Sequence, residues 1–166
     1  MSVLSIFKPD YFFDKIWDIS IEFLKENNIK CVLLDVDNTL TTHDNPKPNE
    51  NVLKWIDNIK GEGTYPIIIS NNIEPRVEPF AKSLSMQCVC HAQKPKSKGV
   101  KQAVILSGIP KEQMLMIGDQ LFTDVWCGKF SGVKTVLVEP FELEPMPFFK
   151  FKRFLEKIIL KKKVVR

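Results

Sequence analysis

Short β-favouring apolar runs alternate along this chain with stretches whose apolar residues have helical spacing. The clearest run covers residues 31–36, where Cys31 to Leu34 and Val36 are apolar. Its end overlaps the polar sequence Asp35-Val36-Asp37-Asn38-Thr39. An apolar run of this length that leads into a polar loop is typical of a buried strand. Four further runs predict strands at 65–69, 86–90, 113–117 and 134–138.

The segments between these runs predict helices. Asn49 is a plausible N-cap for the helix that ends near Gly61. Strands that alternate with helices predict an α/β fold, a three-layer α/β/α sandwich with a mostly parallel sheet. The length of 166 residues favours a single domain over 1–166, with an N-terminal helix within 1–29 and a basic helix or tail at 148–166. The predicted helices cover 9–27, 49–60, 77–84, 97–106, a short segment after Asp124, and 148–160.

Charge is distributed unevenly between the body of the chain and its end. The whole chain carries +4, but residues 149–166 hold eight Lys or Arg against the single acid Glu156, so the remainder is mildly acidic. A basic helix with an apolar face is typical of a peripheral contact with an anionic membrane, although the same apolar face could pack on the sheet instead. No motif of interleaved stacking residues is present, so nucleic acid is not an expected partner.

Cellular location and cysteine usage follow from simple patterns. No apolar run approaches the roughly 18 residues needed to span a membrane, and no signal peptide is recognisable. We therefore expect a protein that is cytoplasmic or peripheral at the inner face of the membrane. The segment Cys88-Val89-Cys90-His91 lacks the paired spacing of zinc sites, which favours structural cysteines in a reducing compartment.

Polar residues follow four of the predicted strands in succession. Parallel strands end at a common edge of the sheet, where such folds bind ligands. We therefore expect these side chains to converge in one crevice. Along the chain they are Asp35 and Asp37, then Ser70 and Asn71, then Lys94, then Asp119 and Asp124.

The residue types at this edge predict phosphoryl transfer. Strand alternation would turn Asp35 and Asp37 to the same side, where their like charges need a compensating metal ion or lysine. Several carboxylates together suit Mg²⁺, which also bridges to phosphate oxygens. Ser70, Asn71 and Lys94 can donate to a phosphate. One aspartate could act as a nucleophile and a second acid could protonate the leaving oxygen.

These motifs resemble the haloacid dehalogenase (HAD) superfamily of Mg²⁺-dependent phosphatases. All four superfamily motifs match in order: Asp35-Val-Asp37-Asn-Thr39, Ser70-Asn71-Asn72, Lys94-Pro95, and Gly118-Asp119 followed by Asp124. The segments 70–77 and 118–125 are similar to the YqeG-like, type IIIA branch, which includes phosphatidylglycerophosphatases. After Asp124, that branch tends to have Gly-Gly-Asn-Arg-x-Gly, whereas this chain has Cys127-Gly-Lys-Phe-Ser-Gly132.

The resemblance implies a role for each motif residue. Asp35 would be the nucleophile and Asp37 the general acid and base. Ser70, Asn71, Lys94 and Thr39 would bind the phosphate. Mg²⁺ would be held by Asp35, the backbone carbonyl of Asp37, and Asp119, with Asp124 supporting the site. The segments in which the superfamily inserts cap domains are short here, so we expect no cap, which suits a large or lipid-borne phosphate.

Two alternatives remain open at the level of sequence. The same chemistry could act on a soluble phosphoester such as a sugar phosphate or nucleotide. A receiver-type signalling module uses similar residues, but it places its acceptor aspartate after the third strand, where this chain has none. Arg76 could reach the phosphate or a lipid head group, or form a surface ion pair, and His43 could touch substrate or be a solvated loop residue.

Overall fold

The computed structural model describes residues 8–42 and 45–142, together with Pro147, Lys150, Phe154, Glu156 and Leu160. Within these residues the strands are β1 (Tyr11–Phe13), β2 (Cys31–Leu34), β3 (Tyr65–Ile69), β4 (Gln87–Val89), β5 (Met114–Gly118) and β6 (Lys134–Val138). They form a six-stranded sheet in the order β1-β6-β5-β2-β3-β4, and every neighbouring pair is parallel. This arrangement confirms the predicted α/β fold.

Five α-helices connect the described strands. Asn49 caps α2 as predicted, with its side-chain oxygen accepting from the N–H of Asn51 at 2.8 Å. One turn of π-helix (Leu121–Val125) runs directly into α5, and π-helical turns are frequent at functional sites. The helices are α1 (Ile21–Glu26), α2 (Glu50–Gly61), α3 (Glu74–Ser83), α4 (Lys98–Ser107) and α5 (Trp126–Ser131).

Alternate residues of the central strands enter two separate hydrophobic cores, one on each face of the sheet. On one face, Leu34 of β2 packs in a cluster with Ile56 of α2 and Phe80 of α3. On the other face, Leu33 packs in a cluster with Ala103 of α4. This alternation produces the three layers and buries β2, which lies near the middle of the sheet, on both sides.

The helix predicted over 9–27 is wrong for the first part of that range and correct for its end. The segment begins with β1 at the edge of the sheet, where Tyr11 pairs with Val136. The Asp10 carboxylate accepts from both the N–H and the hydroxyl of Thr135, at 2.8 and 2.9 Å, which holds the chain against β6. A short 3-10 helix covers Ile16–Asp18, and the α-helix starts after Ser20, whose hydroxyl accepts from the N–H of Phe23. The apolar spacing was helical, but aromatic residues also favour strands, and pairing with β6 decided the outcome.

The helix predicted at 148–160 lies outside the described residues, apart from Lys150, Phe154, Glu156 and Leu160, and so do the two loop residues His43 and Asp44. Of the four C-terminal residues, Glu156 is buried and Phe154 is exposed. Across the part of the chain that the structure describes, no helix is long and apolar enough to cross a membrane.

Candidate active site

Strand ends position the first side chains of the site. The N–H of Asp35, directly after β2, donates to the carbonyl of Ile117 in β5 at 3.1 Å. The N–H of Ser70, directly after β3, donates to the carbonyl of Val89 in β4 at 3.0 Å. The sheet hydrogen bonding thus continues one residue past these strands and fixes the backbone from which both side chains project.

Lys94 joins two carboxylates, one directly after β2 and one in the π-helical turn. Its Nζ lies 2.6 Å from Oδ1 of Asp35 and 2.6 Å from Oδ1 of Asp124, and the lysine side chain is only 3% exposed. Burial alone lowers the pKa of Lys94, but the charges of Asp124 and Asp35 outweigh burial and raise it well above its ordinary value. Lys94 is therefore a permanent cation at the centre of the site.

For Asp35, in contrast to Lys94, the effect of burial outweighs that of the neighbouring opposite charge. Burial raises the pKa of its carboxyl to about 7, with Lys94 opposing the shift and Asp124 adding to it. The lysine, which also binds Asp124, does not offset the effect of burial on the pKa of Asp35. A further cation close to Asp35 would favour the ionised form that a nucleophile needs.

The carboxylate oxygens grouped around Lys94 fit a divalent cation. Asp35, Asp119 and Asp124 are all buried, and each offers an oxygen within 4.8 Å of the others. With all three ionised, Lys94 leaves two negative charges uncompensated, which equals the charge of one divalent ion. Oxygen-only ligands are those preferred by hard cations such as Mg²⁺.

Gly118 makes room for one of these carboxylates. A Cβ at this position would lie 2.3 Å from both Cγ and Oδ2 of Asp124, so no larger residue fits without moving the acid. The same Oδ2 accepts from the N–H of Gln120 at 3.1 Å, which holds the carboxylate at the start of the π-helical turn. The motif therefore has glycine before Asp119 because a side chain at that position would collide with Asp124.

Asp37 lies outside the buried cluster and has a cation of its own. Its Oδ1 lies 2.9 Å from Nη2 of Arg76, and its Oδ2 is 3.5 Å from Nδ2 of Asn72. Strand alternation predicted one compensating cation for Asp35 and Asp37 together. In the structure the chain turns at Val36, whose carbonyl accepts from the three N–H groups of residues 39–41, so the two aspartates meet different partners.

The residues predicted to bind phosphate differ in what they contact. The amide of Asn71 is committed to the Lys94 backbone, accepting from its N–H at 2.6 Å and donating to its carbonyl at 3.0 Å. Ser70 is buried, and its Oγ accepts from the N–H of Asn72. The hydroxyl of Thr39 is buried without a hydrogen-bond partner within the described residues. Asn71 thus positions Lys94, and Thr39 keeps an unused donor.

The cysteine and histidine segment does not form a second metal cluster within the described ranges. His91 Nε2 lies 3.0 Å from Oε2 of Glu74 on the surface, and the three-aspartate cluster is the group there with metal-ligand spacing. All four cysteines are free thiols. That Cys88 and Cys90 are structural cysteines stays a prediction.

Sequence reasoning missed one contributor and the partners of two others. Glu156, which was not singled out, accepts from the N–H of Leu121 at 2.9 Å in the π-helical turn next to Asp119. Asn72 and Arg76 were noted in the sequence, but their contact with Asp37 was not foreseen. Each of these contacts joins residues far apart in sequence, so local patterns could not specify them.

Comparisons with known proteins match this chain to phosphatases. Residues 1–142 match the family described as mitochondrial PGP phosphatase. The chain is 38% identical over 154 residues to "Probable phosphatase YqeG" of Bacillus subtilis, covering 93% of this chain and 90% of that protein. It is 25% identical to phosphatidylglycerophosphate phosphatase 1 of Arabidopsis thaliana, covering 87% of this chain and 44% of that protein.

Solved structures show the same fold. The cobalt-bound form of a deoxy-D-mannose-octulosonate 8-phosphate phosphatase from Haemophilus influenzae matches with a TM-score of 0.56 at 17% identity, covering 82% of this chain and 90% of that one. An uncharacterised Listeria monocytogenes protein matches with a TM-score of 0.58 at 14% identity, covering 72% and 85%. The chain therefore belongs to the mitochondrial PGP phosphatase family and is a phosphatase of the HAD superfamily.

Proposed function

We propose that this phosphatase is a Mg²⁺-dependent phosphomonoesterase that works through an aspartyl-phosphate on Asp35. The observation that carries this proposal is the buried unit in which Lys94 binds Asp35 and Asp124 while Asp119 completes the three-carboxylate cluster. Bound at that cluster, Mg²⁺ would neutralise charge on the carboxylates and on the phosphate oxygens.

In the first chemical step, a carboxylate oxygen of Asp35 attacks phosphorus and the bond from phosphorus to the leaving oxygen breaks. The Asp37 carboxyl donates its proton to that leaving oxygen. Lys94 keeps its positive charge throughout and holds the attacking carboxylate in place. The products are a phosphorylated Asp35 and the free alcohol.

In the second step, water attacks the phosphorus of the aspartyl-phosphate. Asp37 takes a proton from that water, the bond between phosphorus and the Asp35 oxygen breaks, and inorganic phosphate leaves with the Asp35 carboxylate restored. Ser70 and Thr39 are the proposed hydroxyl donors to the phosphate oxygens, and Asn71 contributes by holding the backbone of Lys94.

We further propose a lipid phosphate, such as phosphatidylglycerophosphate, as the substrate. The family match and the name of the Arabidopsis relative support this class. The side chains of Asp37 and Arg76 are 18% and 24% exposed, so substrate can approach from that side. The eight basic residues of 149–166 suit peripheral contact with an anionic membrane, since each contributes about 1 kcal/mol near such a surface.

The test measures phosphate release from phosphatidylglycerophosphate in mixed micelles, with Mg²⁺ or with EDTA, beside an aryl phosphate. Asp35→Asn should lose at least about a thousandfold in kcat, because the nucleophile is gone. Asp57→Asn, which changes an exposed acid of α2, is the matched control and should retain the wild-type rate. Acid quenching with ³²P-labelled substrate should trap labelled protein only when Asp35 is present.

Three outcomes would contradict parts of this proposal. An undiminished rate in Asp35→Asn excludes the covalent mechanism. Full activity in EDTA excludes the metal requirement. Turnover confined to the aryl phosphate keeps the phosphatase chemistry but excludes the lipid, which would redirect the search to soluble phosphoesters.

A further inference from the structure

Arg76 occupies an unusual place for a surface cation. Its guanidinium rests 5.9 Å from the ring centre of Phe80 and binds Oδ1 of Asp37 at 2.9 Å. Asp37 is the residue assigned above as general acid and base. Arg76 therefore touches the proton carrier of the proposed reaction rather than the nucleophile.

This ion pair occupies one oxygen of the Asp37 carboxylate. Arginine has donors and no acceptor, so that oxygen accepts from Arg76. While Arg76 holds it, the same oxygen is not available to the leaving group or to the attacking water.

Arg76 is also the cation of the described site that a substrate can reach. Its side chain is 24% exposed, whereas that of Lys94 is 3% exposed and holds two carboxylates. Partly exposed ion pairs are weakly held and can exchange partners. Phosphate oxygens match the planar guanidinium as well as a carboxylate does.

We propose that Arg76 recognises a second phosphate group on the substrate, apart from the one that is hydrolysed. Arg76 then leaves Asp37 for that group, and the Asp37 oxygen that it held can contact the leaving oxygen. The substrate class is then a phosphomonoester that carries another phosphate, such as the phosphodiester of a glycerophospholipid head group. This inference rests on the proposed function and adds a specificity determinant to it.

The test compares soluble probes, so that membrane binding does not contribute. Glycerol 3-phosphate carries one phosphate, glycerophosphoglycerophosphate is the deacylated head group with a phosphodiester, and a hexose bisphosphate carries two monoesters. Wild-type kcat/KM should be at least about tenfold higher for glycerophosphoglycerophosphate than for glycerol 3-phosphate. The hexose bisphosphate shows whether any second phosphate is sufficient. If its kcat/KM equals that of glycerol 3-phosphate, Arg76 recognises a phosphodiester rather than a second monoester.

The variant that carries the test is Arg76→Gln. It should remove the preference for the second phosphate, so that kcat/KM for glycerophosphoglycerophosphate falls to the level measured with glycerol 3-phosphate in the same variant. Lys82→Gln removes one positive charge from an exposed position of the same helix and should leave the preference intact. Equal losses on both probes in Arg76→Gln, or no wild-type preference, would overturn the proposal.

A binding measurement separates this inference from the proposed function. Calorimetric titration of the Asp35→Asn protein with glycerophosphoglycerophosphate should give a Kd at least about tenfold lower than with glycerol 3-phosphate, and adding Arg76→Gln should remove that difference. If the wild type hydrolyses none of the probes, the proposed function fails while this titration still decides whether Arg76 binds a second phosphate. Equal Kd values overturn the inference.

Discussion

The two aspartates of one short segment, Asp35 and Asp37, meet two cations in opposite environments. Asp35 binds Lys94 in a buried cluster, where the lysine side chain is 3% exposed. Asp37 binds Arg76 at the rim, where both side chains are partly exposed. Buried charges are held firmly, because separating them leaves an uncompensated charge in a poorly solvated place. Rim charges can change partners at little cost.

This difference suggests a division of labour within one active site. The buried side provides fixed positions for the reacting atoms and the metal, which is what phosphoryl transfer requires. The rim side remains adjustable and can respond to the rest of the substrate. The contrast predicts that substitutions on the buried side have large effects on stability and that those at the rim do not.

The largest effect is expected for Lys94→Met. Without the ammonium group, the buried carboxylates of Asp35 and Asp124 repel each other and lack a partner. In EDTA at pH 8, we expect the free energy of unfolding to fall by about 3–5 kcal/mol, measured by urea denaturation. Lys101→Met, on an exposed face of α4, is the matched control and should change stability by under about 0.5 kcal/mol.

A divalent ion should recover part of the stability lost in Lys94→Met, because it replaces the missing positive charge. Denaturation in EDTA and in millimolar Mg²⁺ measures this recovery. A loss of stability similar to that of the control would mean that Lys94 does not hold the cluster together, and the buried side would then differ little from the rim.

The second largest effect is the change in folding stability with pH. Burial raises the pKa of Asp35 to about 7 in the folded protein, well above its value in an unfolded chain. Between about pH 4 and 7 the folded state therefore binds more protons, so stability falls as pH rises, by at most roughly 4 kcal/mol. Urea denaturation in EDTA across this range should show the fall, and Asp35→Asn should flatten it. If stability instead rises with pH over this range, and the rise disappears in Asp35→Asn, the pKa of Asp35 is not raised in the folded protein.

A smaller loss is expected for Gly118→Ala. The added methyl group would lie 2.3 Å from the Asp124 carboxylate, which must move away from Lys94 and the cluster. We expect a loss of about 1–3 kcal/mol together with weaker stabilisation by Mg²⁺. Gly61→Ala is the matched control, since nothing lies within 4 Å of a Cβ there and alanine favours the helix. Equal effects of the two substitutions would mean that the position of Asp124 is not critical.

The sequence was most informative where a local signal also determined the position of a side chain. Each central strand is recognisable from its own apolar run, and a polar residue follows it directly, as Asp35 follows β2 and Asp119 follows β5. Parallel pairing then brings those residues to one edge without further information. For this reason the members of the three-carboxylate cluster and Lys94 were predictable as a group.

Other features depended on contacts that no local pattern encodes. Residues 11–13 have apolar spacing compatible with a helix, yet they form β1 because β6 provides a strand to pair with. Asn71 was expected on the phosphate, but its amide holds the Lys94 backbone 23 residues away. The pairing of Asp37 with Arg76 likewise spans 39 residues. In each case the tertiary structure selects one partner among several that the residue type allows.

The smallest effect is expected at the rim, and it can be measured with a double-mutant cycle. Arg76→Gln, Asp37→Asn and the double variant should give a coupling energy below about 1 kcal/mol, because both side chains are partly exposed. The coupling should fall further in 0.5 M NaCl, since salt screens exposed charges more than buried ones. A coupling above about 2 kcal/mol that resists salt would mean that the pair is structural. Arg76 could not then leave Asp37 for a substrate phosphate, and the proposed division between a fixed interior and an adjustable rim would fail.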